Sequence, residues 1–412
     1  MKPAKFKMTE LGPIPSDWEV KRLGEIGEPL MCKRILKSQT ADQGEVPFYK
    51  ISTFGGKADA YISRKLFEDY RRQYSYPHKG DILLSAAGTI GRKVVFDGSD
   101  SYFQDSNIVW IDNDEKIVLN EFLYWWYSVI AWTTEDGGIV TRLYNNNLKS
   151  SLVPLPPLPE QHRIASALSD MDELIGALGK LVEKKRAIKT GAMQRLLTGQ
   201  TRLPGFGGKW VEKRLGEIGK FSKGAGISKE QSNSGLLPAV RYGELYTTHH
   251  DYIKHFESFI SEDVAKCATQ LHEGDIVFAC SGETKEEIGE CAAYLGKEVA
   301  YAGGDLIIFT PKAEYDSLFL GFELNTPFCA QQKAAAGQGD AVVHIRQESI
   351  AAITVFVPPI LPEQRAIAAV LSDMDAEIVA LEAERAKYAR IKSGMMQELL
   401  TGKTRLEHDR RS

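Results

Sequence analysis

Four short segments gather side chains of the types that can read nucleic acid. Ser85, Thr89, Arg92 and Lys93 follow a Gly-Asp-apolar run that starts at Gly80, and Arg142, Tyr144, Asn145 and Asn146 stand ahead of a long helical pattern. Ser281, Thr284 and Lys285 follow a second Gly-Asp-apolar run from Gly274, and His344, Arg346 and Gln347 stand ahead of a second long helical pattern. Arg, Lys, Asn and Gln offer the paired donors and acceptors that match base edges, whereas Ser, Thr and backbone amides serve phosphates. One such cluster would ordinarily be a solvated loop, but its occurrence in pairs points to contact with DNA. Lys50 and Ser52 in the first half, and Arg241 and Tyr242 at a comparable place in the second, are weaker candidates of the same kind.

Side chains for covalent chemistry are not grouped in this way. The sequence has no GxSxG, HExxH, P-loop or GxGxxG, and Gly224-Ala225-Gly226-Ile227-Ser228-Lys229 matches the last only superficially. Nor does it hold the Asn-Pro-Pro-aromatic or Asp-Pro-Pro-aromatic run with which amino-methyltransferases hold a flipped base. His249, His250, His255 and His272 have no Cys or carboxylate partner at zinc-ligand spacing, and the five cysteines form no CxxC pair. We therefore expect no catalytic residue and no metal in this chain, and reduced, structural cysteines. Its 51 basic and 55 acidic residues give a net charge of −4, which argues against a sequence-independent coat on a polyanion but leaves room for local basic surfaces. No run approaches the roughly 18 apolar residues that cross a bilayer, so a cytoplasmic chain is expected.

The elements that must position these loops are set out by an internal duplication. Trp18 to Gly27 recurs as Trp210 to Gly219, and the segment from Leu158 to Leu203 recurs without a gap from Leu361 to Leu406, with about 27 of 46 positions identical. A period near 200 residues marks a duplicated domain rather than a solenoid. The repeated segment reads as a long helix. Pro159 and Pro362 suit its first turn, Glu160 and Glu363 oppose the positive end of its dipole, and Gly199 and Gly402 stop it. Apolar residues alternate at spacings of four and three, through Ile164, Leu168, Met171, Ile175 and Leu178 in the first copy and Ile367, Leu371, Met374, Ile378 and Leu381 in the second. That period of 3.5 is what two helices need to pack along their length. Farther on, Lys185, Lys189, Arg385 and Lys392 fall on the seam while Ile188 and Ile391 fall beside it, so a shift of register or a second contact surface is expected there. About 38 helical residues make a rod of about 57 Å, and pairing the two copies antiparallel would put one variable block at each end.

These features together resemble the specificity subunit of type I restriction-modification systems. The likeness spans nearly the whole chain and rests most firmly on the duplicated Leu-Pro-Glu-Gln start, at Leu158 to Gln161 and Leu361 to Gln364, and on the repeated Leu-Leu-Thr-Gly ends. The resemblance implies an α+β protein with two mixed α/β target-recognition domains, at 1–157 and 204–360. These are separated by two long spacer helices, at 158–203 and, with a C-terminal tail, at 361–412, that form an antiparallel coiled coil with pseudo-twofold symmetry. It implies a non-catalytic subunit that reads a bipartite, gapped site in double-stranded DNA and docks two methyltransferase subunits and the restriction subunits. S-adenosylmethionine, ATP and Mg would then belong to those partners, with no cofactor on this chain. The second recognition loop departs from the first, Ser281-Gly282-Glu283-Thr284-Lys285 replacing Gly88-Thr89-Ile90-Gly91-Arg92, which weakens any transfer of contacts to Lys285. A different class of function, a coiled-coil scaffold binding proteins without DNA selectivity, would fit the helices alone.

Overall fold

A computed structural model describes residues 5–132, 142–339 and 342–406. The chain divides into two compact units, Met1–Gly179 with Ala383–Ser412, and Lys180–Glu382. Each unit thus takes one variable block, the opening half of one long helix and the closing half of the other.

In the first unit the Gly-Asp-apolar run becomes the strand Ile82–Ser85, which lies between Ile108–Ile111 and Lys93–Val95 in a four-stranded antiparallel sheet. Alternate side chains of the two central strands enter different cores. Leu84, Val109 and Ile111 pack with Phe122, Trp18, Ile164 and Leu168, whereas Leu83, Ile108 and Trp110 pack with Phe48, Phe103 and Phe67. A strand buried on both faces needs apolar residues at every position, which is why these runs do not alternate with polar residues. The second core covers a small sheet in which Val46–Tyr49 pairs in parallel with Tyr102–Phe103.

The second unit repeats the plan. Ile276–Ala279 lies between Leu306–Pro311 and Cys291–Ala293; Phe278 and Phe309 face the core shared with Ile367 and Leu371, and Val277 and Ile308 face the other. Here Leu237–Val240 pairs in parallel with Ala300–Ala302. The repeated Trp18 and Trp210 segments become matching strands, Glu19–Arg22 against Leu152–Leu155 and Val211–Arg214 against Thr354–Val357.

The duplicated segments form helices Leu158–Leu196 and Leu361–Leu399 of 39 residues each. Gly199 and Gly402 follow them with φ of +68° and +70°, the left-handed conformation that ends a helix. Within the first unit, Ile164 and Leu168 share a core with Leu399, and Asp172 pairs with Lys392, so the two helix halves there run in opposite directions. Within the second, Lys185 meets Glu377 at 2.5 Å and Lys189 meets Asp375 at 2.8 Å, again with opposite sense. Ile164, Leu168, Leu178, Ile367, Leu371 and Ile378 are buried, and Met171, Ile175, Met374 and Leu381 are half-buried. In the polar halves the ammonium groups of Lys185, Lys189 and Lys392 reach acids on the facing helix. Ile188 and Ile391 lie on outer faces, 44% and 38% exposed. Among the described residues no helix is long and apolar enough to cross a membrane.

Candidate nucleic-acid interface

Three of the first unit's candidate segments converge at one end of its central strand. Ser85, buried at the strand's last position, accepts the Arg92 amide at 2.9 Å through its Oγ and donates to the Thr89 carbonyl, folding the intervening loop back on itself. Gly88 and Gly91 take φ of +66° and +78° in that loop, and a Cβ at Gly91 would lie 2.5 Å from Trp132 Nε1, so the turn needs glycine there. Thr89 and Arg92 are exposed on the loop, and Arg92 Nη1 donates to the Phe54 carbonyl at 3.0 Å, next to the exposed Ser52. The segment that begins at Arg142 joins them, because Arg142 bridges to Ala87 and the Leu143 amide donates to the Ala86 carbonyl at 2.9 Å. Tyr144 precedes the helix Asn145–Ser150, and Tyr144, Asn145 and Asn146 are exposed at its start.

Arg142 and Lys50 also line one recess of about 470 Å³ with Arg34, Lys37, Gln104 and Asn107. Acids share it: Lys50 pairs with Asp59 at 2.8 Å and Arg34 with Asp105 at 2.9 Å. The sequence reading missed Arg34, Lys37, Gln104 and Asn107; the basic run Lys33-Arg34 to Lys37 was the available signal.

Lys93 goes elsewhere. One position beyond Arg92 its side chain turns to the helix Asn120–Trp126, bonding the Tyr124 carbonyl and Ser128 and standing 3.9 Å from the centre of the Tyr124 ring. Burial, with a smaller contribution from nearby Lys392, lowers its ammonium to about 8, although Asp172 opposes the shift.

In the second unit, Ser281–Gly282 forms a two-residue strand against Val343–His344, and Ser281 Oγ lies 3.0 Å from His344 Nδ1. The Ile345 amide donates to the Cys280 carbonyl at 3.1 Å, just as Leu143 does to Ala86. That pairing aligns His344 with Arg142 and Ser281 with Ala87, the latter in agreement with the register of the two Gly-Asp runs counted from Gly80 and Gly274. Arg346 and Gln347, both exposed, begin the helix Gln347–Ala351. Thr284 and Lys285 project from a loop with Glu283, Glu286 and Glu287, and Thr284 donates to Glu287 at 3.1 Å. Arg241 and Tyr242 follow the strand that matches Val46–Tyr49, so Arg241 takes the place of Lys50, and they line a recess of about 390 Å³ with Lys229, Gln231 and Asp305. Lys229 and Gln231 were also missed.

A second set of residues, carried by the duplicated motifs, fixes the starts of the long helices. Glu160, 3% exposed, receives Arg405 at 2.5 and 2.6 Å and Trp18 Nε1 at 3.1 Å; Arg405 also bonds Asp17 at 2.9 Å. In the other unit Glu363, fully buried, receives Arg202 at 2.5 and 2.6 Å. The arginine beside Asp17 holds its carboxyl below the usual range. Gln161 accepts the Leu119 amide and donates to the Pro156 carbonyl, both at 2.8 Å, and Gln364 likewise accepts the Asp316 amide at 2.8 Å and donates to Pro358 at 3.0 Å. The Glu of each Leu-Pro-Glu-Gln thus clamps a helix start to the tail of the other helix, and the Gln ties it to a variable block.

The model of the type I restriction modification DNA specificity domain matches residues 15–185 and 207–392. A protein of Haemophilus influenzae described as a type I restriction enzyme specificity subunit is 59% identical over 160 residues, which are 39% of this chain and 42% of that relative. The MjaVIII specificity subunit of Methanocaldococcus jannaschii is 26% identical across 96% of this chain and 95% of its own. Among solved structures, the S subunit from M. genitalium superposes with a TM-score of 0.59 over 96% of this chain and 98% of its own at 16% identity, which bears on the fold. Both variable blocks and most of both long helices fall within the matched regions, and the chain belongs to the type I restriction-modification DNA specificity family.

Proposed function

We propose that this chain reads a bipartite, gapped sequence in double-stranded DNA, one half-site per recognition domain, and that its long helices pair as an antiparallel coiled coil that sets the gap. The carrying observation is that Lys50 and Arg241, and Arg142 and His344, stand at matched positions of one scaffold while their side chains differ. A common frame with different base-facing chemistry is what two unlike half-sites require. A rod of about 58 Å, from 39 residues per helix, separates readers by one to two duplex turns. The duplicated helices, alike at more than half of their positions, suit two copies of one modification subunit related by a pseudo-twofold axis, with restriction subunits joining that complex. On this reading the chain itself catalyses nothing, and S-adenosylmethionine, ATP and Mg are held by its partners in the cytoplasm.

The test is a genome-wide map of methylated adenine in cells carrying this gene with its partner methyltransferase gene, compared with cells lacking only this gene. A gapped motif that disappears on deletion is expected. An unchanged methylation map with the methyltransferase still expressed would overturn the reading in favour of a protein scaffold.

A further inference from the structure

In the Lys180–Glu382 unit a pocket of about 760 Å³ opens where the last turns of the helix Leu158–Leu196 meet the junction of helices Ser317–Leu324 and Pro327–Ala336. Its wall is mainly apolar, with Met193, Leu197, Phe328 and Phe356. The Phe328 and Phe356 rings lie 5.4 Å apart and remain 44% and 37% exposed. Glu323 also lines this pocket; it is 2% exposed, its Oε2 has no hydrogen-bond partner, and no other lining residue is charged. Burial pushes its carboxyl up to about 8, against a smaller opposing effect of the Phe356 backbone. Two ionisable groups lie one to three turns along. The buried Cys329 thiol is raised to about 12, and the Lys333 ammonium is engaged by the Gly289 carbonyl at 2.9 Å.

The fold does not need an acid at this point. Leu119 and Asp316, whose amides bond Gln161 and Gln364, start matching helices, and counting on from them puts Trp126 where the second unit has Glu323. The Trp126 indole is buried there and donates to the Leu152 carbonyl at 2.9 Å. A buried carboxyl with one oxygen left unpartnered lowers stability, so its use in place of a well-packed ring calls for a gain from something bound. The volume, and one charged group in a mainly apolar wall that also holds Thr190, Gln194, Thr198, Gln200, Asn325 and Thr326, are those of a ligand site.

We propose that this pocket binds an organic cation carried on an apolar stem, its ammonium paired with Glu323 and its stem lying against Met193, Leu197, Phe328 and Phe356. The aromatic pair at the rim adds attraction for the cation as it enters. A free alkylamine and a lysine side chain offered by a partner subunit share this chemistry. Since Glu323 is largely protonated at neutral pH and the amine arrives as ammonium, binding forms the ion pair and releases the carboxyl proton to solvent.

Isothermal titration of the full chain with n-hexylamine and, separately, n-hexanol tests this. At pH 7 hexylamine is expected to bind at least tenfold more tightly than hexanol, with close to one proton released, read from enthalpies in two buffers of different ionisation heat. Glu323→Gln should abolish the preference and the proton release while hexanol still binds. Phe356→Ala, at a partly exposed position, should weaken both probes. Equal affinity for the two probes, an unchanged Glu323→Gln variant, or no binding of either overturns the proposal. Repeating the titration with modification subunits assembled on the chain separates the sources: blocked binding assigns the cation to a side chain of that subunit, and undiminished binding assigns it to a free amine.

Discussion

Arg142 and Lys93 show how little separates a DNA-facing side chain from a structural one. Arg142 stands in a recess with Lys50, whereas Lys93 is bonded to the Tyr124 carbonyl on the helix side of its strand. Arg142→Ala is expected to weaken cognate duplex binding by about 1 to 3 kcal/mol and to relax selection at one base pair. Lys50→Ala should weaken all duplexes alike and lower the salt slope by about one, while Lys93→Ala should change neither. Anisotropy titrations of the assembled complex at several salt concentrations distinguish the three. Lys93 should show itself in stability instead. Its folded value of about 8 lies below that of the unfolded chain, about 10.4, so between these pH values the unfolded chain binds more protons and stability rises with pH. Lys93→Met is expected to remove that rise and to stabilise the chain at pH 7 by on the order of 1 to 2 kcal/mol, checked by urea unfolding at pH 7 and 9.5. The residue types at both positions were legible in the sequence, but their destinations depend on which strand face each occupies.

Among the elements, the duplicated helix is held by its ends as much as by its seam. Glu160 is clamped by Arg405, and Arg405→Ala would leave a buried carboxylate unpaired. That should cost roughly 3 kcal/mol, the low end for a broken buried pair because Arg405 keeps a solvent-facing side. Glu160→Gln with Arg405→Met should cost less than the single arginine change, and a double-mutant cycle by denaturant unfolding measures the difference. The 3.5-residue seam and the glycine stops could be read directly, because each depends on residues within two turns. The clamp could not, since its partners lie 245 positions apart, although both were visible as identities between the copies. The same locality limits the reading of Lys185 and Lys189: lysines look foreign to a seam until the acids opposite, Glu377 and Asp375, are in place.

For the whole molecule, the proposed division of labour separates spacing from reading. Inserting one heptad into each long helix preserves the seam and lengthens the helices by about 10 Å, or roughly three base pairs. The methylated motif is expected to gain that spacer with both half-sites unchanged, and altered half-sites would contradict the division. Exchanging residues 204–360 for the corresponding block of a relative with another specificity should replace one half-site only, as read by the same methylation map.

The sequence by itself determined the duplication and the two long helices with their termini, because periodicity, capping and repeated motifs are local or self-comparing properties of a chain, and the repeated motifs carried the resemblance to the family. Only the tertiary structure decided that His344 takes the place of Arg142, that Arg34 and Lys37 join Lys50, and that Glu323 leaves one carboxyl oxygen unpartnered where the first unit places Trp126. Those relations are set by strand pairing and by burial between segments far apart in sequence, and the identity of a side chain does not encode which distant backbone will lie beside it.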